Sequence, residues 1–151
     1  MMQTKVHPPL ILVCFVLLAY LLKQYFPIFI FCSSLLMWAA LLLCVLALVL
    51  GLHSVLRFFK SNTTINPLTP ESSSYLVLGG CYRYSRNPMY LALALMLAAA
   101  CFYLGAVSSF LCLPAFAITL TYLQIIPEER ALEAKFGESY LDYRSRVRRW
   151  L

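Results

Sequence analysis

Four apolar runs constrain this chain more than any other feature: residues from about 10 to 32, 35 to 59, 89 to 104 and 110 to 126. In lipid every backbone N–H and C=O must be satisfied inside the segment that carries it, so runs near 20 apolar residues read as membrane-crossing helices. The expected fold is therefore an all-α integral membrane protein with four transmembrane helices, a polar connector and an amphipathic C-terminal helix. With 62% hydrophobic and 12% charged residues, the composition lies far from the roughly 25% charged usage of soluble domains. Residues 1–151 read as one membrane domain.

The runs differ in quality. The first is interrupted by "KQYFP", so Lys23 is expected to snorkel or mark its outer end. The second is the cleanest, with Trp38 near one end and Arg57 and Lys60 at the other. Only "GAVSS" separates the third from the fourth, which requires a tight antiparallel hairpin. Lys5 ahead of the first run imitates a signal peptide, but no small-x-small cleavage site follows, and an uncleaved first span is expected.

Basic residues set the orientation, because cytoplasmic flanks are enriched in Lys and Arg. With an inside N-terminus, Lys5, Arg57, Lys60, Arg83, Arg86 and the six basic residues after position 127 all fall on the cytoplasmic side, and only Lys23 falls outside. Both termini are expected in the cytosol. The net charge of +6 then needs no nucleic acid to explain it. The tail "YRSRVRRWL" reads as a membrane-surface segment, with its arginines toward anionic headgroups and Trp150 at the interface. The six cysteines are scattered singly, and no Cys/His cluster has metal-ligand spacing, so they read as packing residues and no metal is expected.

Two polar segments face the cytosol. The connector from Ser61 to Arg86 contains the turn-rich "NTTINPLTPESSS". The C-terminal segment opens with Pro127 and the pair Glu128-Glu129, acidic residues where a helix dipole favours them. Leu132, Phe136, Tyr140, Tyr143 and Val147 then recur at helical spacing as an apolar stripe, which Gly137 is expected to split between two short helices.

Chemistry is concentrated at two places. In "GGCYRYSRNPMYL", proline pushes Asn87 out of the helical region and starts the third span at Pro88, presenting free backbone N–H groups at the cytosolic mouth. Gly79 and Gly80 permit close backbone approach, and Tyr82 and Tyr84 offer aromatic faces. A plainer reading makes the same arginines and tyrosines an interfacial belt. The second place is the Glu128-Glu129 pair, a functional candidate because a carboxylate beside a span is costly unless partnered. Adjacent helical residues point about 100° apart, so at most one glutamate is expected inward while the other caps the helix or meets solvent. His53, near the cytosolic end of the second span, reads as a headgroup-level residue.

"GGCYRYSRNPMYL", one helical hairpin, and then "PEERALEAKFGESYLDYRSRV" resemble the C-terminal core of the membrane methyltransferases that include isoprenylcysteine carboxyl methyltransferases and phospholipid methyltransferases. The likeness covers about residues 76–150. It implies S-adenosylmethionine as methyl donor, bound on the cytosolic side. By that likeness Gly80, Tyr82, Arg86, Asn87, Pro88, Tyr90 and Glu129 shape the cofactor pocket, and Glu128, Glu129 and Arg86 are the catalytic candidates. The acceptor is implied to be lipophilic, an isoprenylcysteine-type carboxylate or a phospholipid-type amine. Asn87 stands where the isoprenylcysteine enzymes usually carry histidine. The arginine those enzymes tend to carry just before the glutamate pair is missing from "LQIIP", where Gln124 is the polar residue. Two other readings stand beside this one: an NADPH-dependent membrane reductase of the steroid-reductase type, and a non-catalytic membrane adaptor.

Overall fold

The computed structural model describes residues 7–60, 76 and 78–151, with only the backbone for 58–60. Lys5 and the turn-rich part of the connector lie outside the described residues. Among the described residues six α-helices run in chain order: α1 Pro8–Tyr25, α2 Ser34–Lys60, α3 Pro88–Leu104, α4 Cys112–Leu120, α5 Ile126–Phe136 and α6 Glu138–Arg146. Short 3-10 turns, Gly80–Arg83 and Val107–Leu111, precede α3 and α4, and a π-helical turn, Thr121–Ile125, joins α4 to α5. No strand occurs among the described residues, where Ile30 and Ala106 make one isolated antiparallel bridge.

Among the described residues three helical stretches are long and apolar enough to cross a membrane: Pro8–Tyr25, Ser34–Arg57 and Val107–Phe136. Pro88–Leu104 is equally apolar but has 17 residues, about 25 Å at 1.5 Å per residue against a hydrocarbon core of about 30 Å. The first span is shorter than its sequence suggests. It ends at Tyr25, not near Cys32, because Pro27 removes a helical N–H and disfavours the helical region at Phe26. The apolar residues beyond it pair instead with the far hairpin. Phe31 N–H donates to the Gly105 carbonyl at 2.7 Å, and Val107 N–H reaches the Ile28 carbonyl at 3.1 Å. Gly105 lies at φ +66, and a Cβ there would sit 2.2 Å from the Phe31 carbonyl oxygen. Only glycine fits that crossing.

α3 is the central helix, packed against α2, α1 and α4. The core between α1, α3 and the α4–α5 rod contains Ile11, Ala19, Tyr90, Leu97, Cys101, Cys112, Phe116, Leu120 and Ile125. Phe15 meets Phe116 edge-on, with ring centroids 5.4 Å apart. The hairpin serines are buried and spend their hydroxyls on α1: Ser109 donates to the Ala19 carbonyl at 2.8 Å, and Ser108 donates to that of Leu22. Small residues and buried hydroxyl bonds of this kind hold helices together where lipid gives no hydrophobic incentive. The outward faces of α1 and α2, including Leu17, Trp38, Leu42, Val49 and Leu52, are exposed and apolar, as lipid-facing surfaces must be.

Gly137 breaks the C-terminal segment between α5 and α6, as its sequence suggests. Arg144 bonds back to Glu133 across the break at 3.1 Å. The predicted stripe is real. Tyr140 and Tyr143 are buried, and Leu132, Phe136 and Val147 are half-buried against the bundle. The extended residues after α6 then return to the start of α3.

Candidate active site

The site forms where the start of α3, the start of α5 and the chain end converge. Asn87 sits just outside α3 at φ −129, ψ 54, and Pro88 opens the helix, as the Asn-Pro step requires. Asn87 N–H donates to the Ser85 hydroxyl at 3.1 Å, and the Leu91 N–H closes the first turn on the Asn87 carbonyl. That local bonding aims Arg86 under the bundle toward α5.

Arg86 Nη2 lies 3.1 Å from Glu129 Oε1, and both side chains are 9% exposed. Arg149 closes on the same carboxylate as a fork, Nε to Oε1 at 3.1 Å and Nη2 to Oε2 at 2.7 Å. One buried carboxylate is thus held by two guanidinium groups. Arg86 keeps Nε and Nη1 buried with no hydrogen-bond partner among the described residues. A buried charged donor left unsatisfied is costly, so the arrangement suits an anionic oxygen arriving from outside the chain.

Glu128 is also partnered. Tyr90, two residues into α3, donates its hydroxyl to Glu128 Oε1 in a short bond. This corrects the expectation that at most one of the two glutamates faces inward. The 100° between them is real, but neighbours approach α5 from two directions, Tyr90 from α3 and the arginines from the α3 entry and the tail. Tyr82 is buried, and its carbonyl accepts the Tyr143 hydroxyl at 2.7 Å. Burial raises the Tyr82 hydroxyl above its ordinary range, with Cys81, Tyr143 and Glu128 adding to the rise. Burial, with the Glu129 charge adding, pushes Tyr140 up to about 12, while the adjacent Arg86 opposes the rise. Arg149 is raised further by its bond to Glu129.

Gly80 approaches the site from the α2 side. It lies at φ +67, and a Cβ there would fall 2.7 Å from Arg57 Nε and 2.8 Å from His53 Cε1. His53 and Arg57 of α2 therefore border the entry loop. Tyr84, by contrast, is 78% exposed, so it is Tyr82 alone of the two that turns inward; Arg83 is exposed as well.

The tail is the second correction. It was expected on the membrane surface, yet its main chain is zipped to the motif. Arg86 N–H donates to the Arg148 carbonyl at 3.0 Å, and Asn87 Nδ2 donates to that of Arg149 at 3.0 Å. Trp150 packs on the core cluster and donates Nε1–H to the Thr121 hydroxyl at 3.3 Å. Arg148 is exposed, as a surface reading requires; Arg149 and Trp150 are built into the site. The sequence carried one hint, a tryptophan closing an otherwise basic run. The π-helical turn at Thr121–Ile125 was also missed. It buries Gln124 one turn ahead of the glutamates, and such turns recur at functional sites.

The site joins two distant segments across one helical hairpin in an apolar bundle. A family model described as phospholipid methyltransferase matches residues 35–139, and the chain belongs to that family. An uncharacterised protein of Haemophilus influenzae is 43% identical over 63 residues, which are 42% of this chain and 100% of that protein.

Proposed function

We propose that this chain is an S-adenosylmethionine-dependent methyltransferase acting on a phospholipid-type amine at the cytosolic face of the membrane. One observation carries the reading: Arg86 and Tyr90 of the first motif bond to Glu129 and Glu128 of the second, across the hairpin. The family membership supports the reaction class. Arg57, Arg83 and Arg86 cluster at the site's end of the bundle while Lys23 ends α1 on the other side, which supports cytosolic termini by the positive-inside rule. α3 then completes a set of four spans as the third in chain order, with the apolar 26–31 segment extending the bundle's outer end.

The residues present fit the cofactor. The buried, unsatisfied Nε and Nη1 of Arg86 suit its α-carboxylate, and the Glu129 carboxylate suits its cationic amino group. Gly80, Tyr82, Asn87 and Pro88 wall the entry. When bound, S-adenosylmethionine supplies an electrophilic methyl group on a cationic sulfonium, and the protein supplies position and electrostatics.

Positioning can account for up to about 7–11 kcal/mol of such a barrier in favourable cases. The bundle does this by admitting the acceptor laterally from lipid, head toward the α3 and α5 mouths. An ammonium must lose a proton before nitrogen can attack. Glu128 takes that proton on Oε2, while Tyr90 holds Oε1 by its hydroxyl. The burial of Tyr140 and the packing of Trp150 keep bulk water away. A carboxylate acceptor would need no such base, and the arginine that the isoprenylcysteine enzymes carry is absent here. Purified protein incubated with methyl-labelled donor should label an aminophospholipid and leave a prenylcysteine analogue unlabelled. Label on the prenylcysteine alone would overturn the amine assignment.

A further inference from the structure

Glu129 is served unequally by its two arginines. Oε1 receives both Arg86 Nη2 and Arg149 Nε, whereas Oε2 receives Arg149 Nη2 among the described bonds. Taken by themselves, Arg86, Glu129 and Arg149 carry one positive charge in excess beside the Tyr90-bonded Glu128, and the second guanidinium on Glu129 leaves that carboxylate less attraction for an incoming cation. If the Arg149 side chain withdraws, a neutral Arg86–Glu129 pair remains and Oε2 is open. The two arginines also differ in their freedom to leave. Arg86 is 9% exposed, and Arg149 is 35% exposed, beyond the end of α6 and past the extended Val147. Its carbonyl is bonded to Asn87, so the side chain can turn toward solvent while the main chain stays in the wall.

We propose that the Arg149 side chain is an internal cation competing with the methyl donor for Glu129, a residue that sets donor affinity without touching the acceptor. This rests on the reading that Glu129 meets the donor's cationic amino group. The tail then has two separable parts: a main chain that anchors Arg86 and Asn87, and a side chain that must be displaced for the donor to bind.

The test is calorimetric titration of S-adenosylhomocysteine, which keeps the amino group, into the full chain in detergent. Arg149→Gln should bind about five- to ten-fold more tightly than the wild type. Arg149→Lys, which keeps charge but loses the fork, should fall between them. Trp150→Ala, which loosens the main-chain anchor, should bind more weakly. Unchanged or weaker binding in Arg149→Gln overturns the proposal, and if that variant does not fold, Arg149→Lys binding no more tightly than the wild type does so. Absence of binding in every form overturns the donor reading itself, and the proposal with it.

Discussion

Removing the Glu129 carboxylate tests the ion cluster most severely. In Glu129→Ala, Arg86 stays buried and loses the carboxylate that meets its Nη2, with Nε and Nη1 unpartnered among the described residues and the neutral Tyr140 hydroxyl as its remaining contact, and Arg149 loses its fork. Breaking a buried pair by deleting one partner costs about 3–5 kcal/mol, since the surviving charge is stranded. For a chain of this size that is a fall of roughly 6–20 °C in Tm. Arg149 is partly exposed and can reach water, so its share is small, and Arg149→Gln should lower Tm far less. The sharper form is a double-mutant cycle. Arg86→Met with Glu129→Leu removes both charges from the same volume, and apolar replacement of a whole buried pair is often neutral. The double variant should therefore be more stable than either single one in detergent-solubilised thermal unfolding. Additive losses, or a Glu129→Ala shift no larger than that of the exposed control Arg144→Gln, would refute the claim that this pair is buried and coupled.

Other outcomes follow from the same geometry. Glu128→Gln should lower kcat for an amine acceptor about 10²- to 10⁴-fold while S-adenosylhomocysteine affinity stays near that of the wild type, measured by label transfer and calorimetry. Gly80→Ala strains a left-handed residue at a cost of about 1–2 kcal/mol, since the ends of Arg57 and His53 can move aside. Gly105→Ala should be clearly worse, because there the obstacle is the Phe31 main-chain carbonyl; paired melting curves decide. Tyr140 has its folded pKa raised from 10.0 to about 12. Its contribution to stability is therefore complete below pH 10 and lost as pH rises through 12. Tyr82 and Tyr143, raised the same way, add to that alkaline slope, and Tyr140→Phe should flatten part of it.

Much of the fold was legible because hydrophobicity and helix punctuation act locally. Pro88 and Gly137 mark helix boundaries by their own backbone chemistry, and α2 is set by an uninterrupted apolar run. The end of α1 was harder. The stretch from Ile28 to Phe31 is as apolar as a helix needs, and hydropathy reports depth in the membrane, not conformation. Its true partners, Gly105 and Val107, lie more than 70 residues away. The same holds at the site. The two motifs are visible in sequence, whereas the engagement of Arg149 with Glu129 depends on how the tail returns, which spacing does not encode. A run of arginines at a membrane protein's end ordinarily marks the lipid surface, and here tertiary packing of Trp150 and the charge of Glu129 override that preference.

If Asn87, Arg86 and the glutamate pair form one donor pocket, as proposed, ligand binding must show it. S-adenosylhomocysteine and NADPH are titrated separately into the wild type and Asn87→Ala in detergent. The wild type should bind S-adenosylhomocysteine saturably, a folded Asn87→Ala should lose that binding, and neither should bind NADPH. Saturable NADPH binding with no response to S-adenosylhomocysteine would contradict the donor pocket.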